Sequence, residues 1–355
     1  MKDRIFIVGD LHLGLNIDNF ITKGKLTSRY EEHNNILCDM VDYIVDGEIE
    51  HVIFAGDIFH VANPTSLYRA LFAQHLMTLV EHDITVDIVV GNHDSIMSGV
   101  SALEPTKKRF EGSGIVHVID KPTYRDGIVY APHYNRYEVD YYWKEVFEWA
   151  KQADYGVGHF HAAGAVVGAE RGLLAGGELT AEKLPPLKRW LLGHIHKPQD
   201  FQLSGIPVHY VGSVIRVDFG ERDDEKSHIL LDTKNDTIKR IPIFYATNYV
   251  QVEVNDADID SYDWSVVSGS IVKVTVDNYS DIHGVREIED KCKDAVMIKS
   301  IQFNRRKQEA DRSSEFEAMT YDDILEKYTG DHKLKDRICK HGRLILKESI
   351  DEQSA

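Results

Sequence analysis

Apolar positions along the first hundred residues alternate between the period of a strand and the period of a helix. Arg4 to Val8 is a short, β-branched apolar run that predicts a buried strand, and it ends in Gly9-Asp10-Leu11-His12. From Ser28 the period changes: Ser28 and Glu31 have capping-box spacing, and Ile36, Leu37, Met40, Val41, Ile44 and Val45 repeat at helical spacing toward Gly47. His51 to Ala55 returns to strand character and ends in a second Gly-Asp step. Asn63-Pro64 then opens a helix with Leu67, Leu71, Phe72, Leu76 and Leu79 on one face. Ile84 to Val90 predicts the third strand, ending at Gly91-Asn92-His93-Asp94. Strand and helix in alternation, with polar residues closing each strand, predict an α/β layered fold whose site lies at the carboxyl ends of the strands.

Further strands are predicted at Ile115 to Ile119, Ile128 to Ala131, Tyr155 to Val157, Trp190 to Leu192 and Val208 to Val211, with an amphipathic helix from Glu138 to Lys151. Ile229 to Asp232 and Ile238 to Ile243, separated by Lys234-Asn235-Asp236, read as a closing hairpin, which puts the end of a first domain at residue 245. Residues 246–304 carry a smaller set: Val250-Val252-Val254, Ile271 to Val276, a helix from His283 to Ala295 and a strand from Met297 to Phe303, together a small α+β domain. The polar run Asn304 to Ser314 reads as a linker. Residues 305–355 thus comprise a linker and a helical tail whose apolar positions are Ile324, Leu325, Tyr328, Leu334, Ile338, Leu344 and Ile345. Such a tail is too short to bury its own apolar face, so it calls for a surface to dock on.

Composition narrows the class. A chain of 355 residues suggests two to three domains, and 43% hydrophobic with 28% charged residues is a folded globular balance. Cys38, Cys292 and Cys339 form no C-x-x-C pair, which excludes a disulfide framework or cysteine zinc site and fits a reducing cytoplasm. No 18-residue apolar run occurs, so neither a membrane span nor a secretory leader is expected. The net charge of −17 argues against bulk attraction to a polyanion, so a phosphate substrate must be held locally. The 18 histidines point to how, since neutral imidazole is a common metal ligand.

Five short motifs occur in order: Gly9-Asp10-Leu11-His12, Gly56-Asp57-Ile58-Phe59-His60, Gly91-Asn92-His93-Asp94, Gly158-His159 and Gly193-His194-Ile195-His196. One Asp-x-His alone is more often a capped turn than a ligand pair, but a packed core does not explain the ordered set at strand ends. Carboxylate, imidazole and amide oxygen together suit two manganese, iron or zinc ions, and one carboxylate can bridge them. His51, His75, His82, His117, His209 and His228 lie within or beside the strand and helix patterns and read as scaffold. Lys107-Lys108-Arg109 and Arg305-Arg306-Lys307 are either DNA-backbone contacts or solvated surface runs, and Gly164 to Gly177 is either a substrate-facing loop or a connector.

The five motifs resemble the calcineurin-like binuclear metallophosphoesterase superfamily. Within it, His60 three positions after Asp57, the Asn63-Pro64-Thr65 segment, Gly212-Ser213 and Phe219-Gly220-Glu221 resemble the SbcD-type exonuclease family, over about residues 1–245. The resemblance implies a layered sheet sandwich flanked by helices, with a small α+β capping domain and a helical C-terminal tail. It implies that Asp10, His12, Asp57 and His196 hold one divalent metal and Asp57, Asn92, His159 and His194 the other, manganese in both. His93 would protonate the leaving oxygen, Asp94 would orient its ring, and His60 would contact the phosphate. His161 offers a second choice for the ligand assigned to His159, and the sequence leaves that choice open.

The implied function is a manganese-dependent DNA nuclease subunit, a 3′-to-5′ double-strand exonuclease and single-strand or hairpin endonuclease in DNA end processing. It would work as a homodimer within a heterotetramer with an SbcC-type coiled-coil ATPase docked on the helical tail, in the cytosol of a bacterium or of a phage-infected host, without a membrane partner. The other readings are a stand-alone small-molecule phosphodiesterase or protein phosphatase of the same superfamily, and a non-enzymatic scaffold.

Overall fold

The computed structural model describes residues 1–15, 28–95, 101–134, 139–167, 179–279 and 284–305. The segment expected to form a linker and a helical tail lies outside these residues apart from its first position, as does most of the Gly164 to Gly177 segment.

The alternation expected from the sequence is present. Strand β1 (Arg4–Val8), helix α1 (Ser28–Asp46), β2 (His51–Phe54), α2 (Ser66–Glu81) and β3 (Thr85–Val89) follow one another, and a short helix, α3 (Glu104–Arg109), leads to β4 (Val116–Ile119). Strands β5 (Thr123–Arg125), β6 (Ile128–Ala131), helix α4 (Val139–Ala150), β7 (Tyr155–His159), β8 (Arg189–Gly193), β9 (Gln199–Leu203), β10 (Ile206–Tyr210), β11 (Ser227–Asp232) and β12 (Thr237–Pro242) complete the larger part. They form two six-stranded sheets, ordered β12-β11-β1-β2-β3-β4 and β5-β6-β7-β8-β10-β9.

The layering follows from the side chains. In β1, which runs parallel to β2 and antiparallel to β11, Ile5 and Ile7 face one way and Phe6 and Val8 the other, and all four are buried, as expected of a central strand covered on both faces. Ile5, Ile7, Ile53 and Val89 of the first sheet pack with Tyr130, Tyr155, Val157 and Leu191 of the second, so the two sheets share an apolar interior. The outer face of the first sheet (Phe6, Val52, Phe54) packs under Ile36, Met40 and Ile44 of α1 and Leu71, Phe72 and Leu76 of α2. Val129, Trp190 and Leu192 on the outer face of the second sheet pack under Trp143 and Val146 of α4. Each such side chain contributes about 1.5–3 kcal/mol on burial.

A third sheet, of three strands, is ordered β13 (Tyr249–Asn255), β14 (Ile271–Tyr279) and β15 (Met297–Arg305), with helix α5 (Val285–Lys291) between the last two in sequence. The chain divides into two compact units: Met1–Val252 with Asp263–Lys273 and Glu289–Ser300, and Glu253–Tyr262 with Val274–Ile288 and Ile301–Ala355. Within the second unit the Tyr279 and Phe303 rings lie 4.5 Å apart and Asn304 donates to Asp277.

Three elements were not predicted. β5 has only three residues, β9 is an edge strand whose alternation rests on just Phe201 and Leu203, and α3 is six residues long with no buried side chain, so each pattern is too short to predict an element. α5 is shorter than the helix expected from His283 to Ala295. After Lys291 the chain turns, and the Val296 amide donates to Ser270 O rather than back along a helix.

Candidate metal centre

The first sheet delivers Asp10 and His12 just after β1, Asp57 after β2, and Asn92 with His93 after β3; the second delivers His159 at the end of β7 and His194 and His196 after β8. Backbone bonds lock the loops together: the Leu11 and His12 amides both donate to Asp57 O, at 3.1 and 3.0 Å, and His33 of α1 sets an imidazole nitrogen 3.0 Å from Leu11 O. His12, Asp57 and His194 all occupy the left-handed region, with φ of 47°, 48° and 86°. Strain of this kind costs about 1–3 kcal/mol per residue and concentrates at functional sites. The glycines of the motifs make room for it. A Cβ on Gly56, whose φ is 108°, would fall 2.1 Å from His159 Nδ1, and one on Gly91 would fall 2.1 Å from Asp57 Oδ1.

Three groups of potential ligand atoms result: Asp10, His12 and His196; Asp57, His159 and His194; and His12, His60 and His93. In the first, His12 Nε2 lies 2.9 Å from His196 Nε2, and Asp10 Oδ2 lies 3.8 Å from His196 Nε2. In the second, His159 Nε2 and His194 Nδ1 are 3.3 Å apart, and Asn92 Oδ1 sits 2.9 and 2.8 Å from those two nitrogens. Asp57 reaches both groups, with Oδ1 3.3 Å from His159 Nε2 and Oδ2 3.8 Å from His12 Nε2.

The protons explain why this arrangement suits cations. His196 Nδ1 donates to Glu221 Oε1 at 2.8 Å and His159 Nδ1 donates to Ala55 O at 2.9 Å, so the Nε2 atoms that these rings turn inward carry lone pairs when the rings are neutral. Neutral, these rings would turn lone pairs toward one another and toward carboxylate and amide oxygens, a donor set that fits two divalent ions. Without ions, protons take that role. Burial pushes Asp10 up to about 6 against the pull of His159, while Asp57 is held well below the usual carboxylate range by His159 and His12 despite its burial. Burial opposes charge on His159, but Asp57 beside it wins and raises the ring to about 10. His194 falls to about 2 through burial and the neighbouring His159 and His161 rings.

His60 and His93 stack at 5.2 Å beside His12. His93 Nδ1 donates to His60 O at 2.8 Å and its backbone amide donates to Asp57 Oδ1, so Nε2 is the ring atom left for a substrate. The expected partner of this ring was Asp94, and the structure corrects that expectation. The Asp94 carboxylate accepts instead from the backbone amides of Ile58, Phe59 and Gly91, at 3.2, 2.9 and 3.0 Å, because it is fully buried under the loop that carries Asp57. Burial, with Asp57 nearby, pushes it up to about 7. It holds the loop, and the His60 carbonyl holds the ring.

Of the two histidines the sequence left open, His159 joins Asp57 and His194. His161 stands behind His194, with Nδ1 3.0 Å from His194 Nε2. Glu221 entered the sequence reading only as part of a resemblance, and Lys226 not at all. Lys226 is fully buried and spends its three donors on Glu221 Oε2 (2.7 Å), His196 O and Ser213 Oγ (both 3.0 Å), so it fixes the carboxylate that fixes His196. Only the lone Glu two positions after Phe219 signals this in the sequence. The scaffold histidines lie elsewhere: His51 against Asp87, His209 against Asp200, His75 against Asn34, His117 against Gly114 O. In the triplet on α3, Lys107 pairs with Asp120 and Lys108 with Glu104.

The sequence profile of the calcineurin-like phosphoesterase family matches residues 3–198, more than half of the chain and all eight positions described above as converging from the two sheets. Among similar curated proteins is the SbcD component of the nuclease SbcCD from Bacillus subtilis, 26% identical over 271 residues that cover 65% of this chain and 66%, just under two thirds, of that one. The corresponding nuclease component from Escherichia coli K12 is 22% identical over 357 aligned positions, covering 87% and 86%. The DNA double-strand break repair protein Mre11 of Archaeoglobus fulgidus is 24% identical over 318, covering 83% and 69%. A two-sheet sandwich whose strand ends assemble paired imidazoles around a shared aspartate is thus joined to a profile match across the same strands, and the chain belongs to the calcineurin-like phosphoesterase family, whose members use a dimetal centre.

Proposed function

We propose that this chain is the nuclease subunit of a DNA end-processing complex, cutting phosphodiester bonds with two manganese ions. The observation that carries the reading is Asp57 reaching both ligand groups beside a stacked His60–His93 pair, in a chain whose curated relatives are nucleases and break-repair proteins by name. Asp10, His12, Asp57 and His196 would hold one ion, and Asp57, Asn92, His159 and His194 the other. When bound, such a pair supplies an activated water and neutralises charge on the phosphate.

The remaining work falls to side chains. Asp57 sets the separation of the two ligand groups, and Glu221 and Ala55 O keep the His196 and His159 lone pairs turned inward. His93, its Nδ1 held by the His60 carbonyl, passes a proton from Nε2 to the departing oxygen, a contribution of about 10²–10⁴-fold. His60, stacked on it, contacts the phosphate.

The finer parts of the proposal are 3′-to-5′ exonuclease action on duplex ends, endonuclease action on single strands and hairpins, dimerisation, and an SbcC-type ATPase docked on the tail from Thr320 to Lys347. Their support is the kinship to SbcCD nuclease components and the helical apolar pattern of that tail. The test is cleavage of an end-labelled linear duplex with manganese, with magnesium and with chelator, alongside bis(p-nitrophenyl) phosphate. Mononucleotide release that needs manganese is the expected result. Hydrolysis of the ester with no cleavage of any DNA would transfer the chain to the small-substrate phosphodiesterases.

A further inference from the structure

A cavity of about 490 Å³ adjoins the metal centre, within the range of about 300–1,000 Å³ usual for ligand clefts. Its lining joins His194 and His196 to Lys197, Phe219, Arg222 and Lys273. The acids that share this space are engaged: Glu221 and Asp224 face the buried Lys226, and Asp218 accepts from the Gly220 amide. Among the described residues, no carboxylate lies within ion-pair distance of Lys197 or Lys273; the one contact shown for the Lys273 ammonium is the Phe219 ring, 4.3 Å from its centroid.

The aromatic is braced. Phe219 meets Tyr249 edge-on at 4.7 Å, and the Tyr249 hydroxyl is bonded to the buried Arg29, which is itself paired with Glu32 at 2.6 Å. The same short turn, Phe219–Glu221, carries the carboxylate that holds His196. One rigid turn therefore presents an aromatic ring to the cavity and a hydrogen-bond acceptor to the metal centre.

We propose that this cavity is the subsite for the nucleotide next to the bond being cut. Lys273, with Lys197, binds the phosphodiester adjoining the scissile one, and Phe219 is the apolar surface against its sugar and base. The inference rests on the nucleic-acid reading above and deepens it. A substrate with a single phosphate is satisfied by the metal centre alone and has no use for a second cationic position beside an aromatic ring. A nucleic acid strand places a second phosphate and a planar apolar group next to the first, which is the combination this cavity offers.

The test uses the full chain with manganese and compares two substrates: a fluorescein-labelled oligothymidylate and bis(p-nitrophenyl) phosphate, which has one phosphate. For Phe219→Ala and Lys273→Gln, the ratio of kcat/KM on the oligonucleotide to kcat/KM on the ester falls by about tenfold or more, through KM. Lys273→Gln also flattens the dependence of log affinity on log salt by about 0.7. Phe219→Trp and Lys273→Arg keep the ratio. A ratio within twofold of the unaltered protein in both loss variants overturns the subsite, and so does an equal fall on both substrates, which would mark the turn as a support for the metal centre only. If the unaltered protein cleaves the ester but no oligonucleotide, the nuclease reading has failed and the subsite with it. Cleavage by all forms at equal ratio sinks the subsite alone.

Discussion

Two buried clusters of charged and polar side chains sit on the same strands and obey opposite rules. At the other end of β2 from Asp57, His51 donates to Asp87 at 2.8 Å, the Tyr130 hydroxyl donates to the same oxygen, and Arg125 Nε stands 3.3 Å from the other. Burial would raise Asp87, but these partners outweigh it and hold the carboxyl below its ordinary range. That cluster balances its charge with one carboxylate, one cation and two donors on a single carboxylate oxygen, while Asp87 Oδ1 and Arg125 Nε meet as an ion pair without a hydrogen bond. At the metal centre the reverse holds. Imidazole nitrogens and carboxylate oxygens crowd together, Asp10 is pushed up to about 6 by burial, and three candidate ligands, His12, Asp57 and His194, sit in the left-handed region. A buried cluster that balances its charge with side chains from both sheets ties them together, and one that gathers several ligand atoms around a shared carboxylate is suited to cations from outside the chain.

The largest expected effect tests the open cluster. Asp57→Ala should fail to retain the two ions of protein loaded with manganese, seen by elemental analysis after gel filtration, and should lower hydrolysis by at least the ~10⁴-fold upper range of a single acid–base group. Retention of two ions would show that Asp57 does not bridge. His93→Ala should keep both ions and lose about 10²–10⁴-fold in turnover; a variant that binds metal poorly would move His93 into the ligand set.

Next, Asp87→Ala should lower stability by about 3–5 kcal/mol in urea titration, because it strands Arg125 and two donors, while manganese affinity of the folded protein stays as it was. An affinity loss would mean the two clusters are coupled. Glu221→Gln should lower manganese affinity, read by chelator competition, about 10–100-fold and should also lower the melting temperature, because it leaves the buried Lys226 ammonium without its nearest carboxylate; unchanged affinity would show that Glu221 serves the fold and not His196.

The smallest effect concerns His228, buried beside Phe6 with no hydrogen-bond partner for Nδ1 and lowered by burial to about 3. Below about pH 6.5 the unfolded chain takes up a proton there that the folded chain refuses until about pH 3. Stability therefore falls as pH drops through that window, by about 1.4 kcal/mol per pH unit. His228→Leu should flatten this slope in urea titrations at pH 7, 6 and 5, and an unchanged slope would assign acid sensitivity to the metal centre instead.

Much of this was legible locally. The strands β1, β2 and β3 announce themselves because both faces are apolar, and each ends in a motif whose residue types are wrong for a core. His159 and His161 are not separable in the sequence because both follow the expected strand Tyr155 to Val157, and in the structure His159 closes β7 beside Asp57 whereas His161 lies beyond the strand's end. Asp94 was misread for a similar reason: adjacency to His93 suggested a bond, whereas the chain folds that carboxylate under the Asp57 loop, where three amides needed an acceptor.

The sequence by itself determined the alternation of strand and helix, the strand-end location of the site and the types of its ligands, since these depend on neighbours three or four positions away. Tertiary structure alone decided that Asp57 reaches both ligand groups, that Glu221 and Lys226 hold His196, and that Phe219 and Lys273 share a cavity with it. Apart from Lys226 and Glu221, five positions apart, those relations join residues from 23 to more than 100 positions apart, where sequence spacing carries no information and only the pairing of strands and the packing of one sheet on the other bring the atoms within reach.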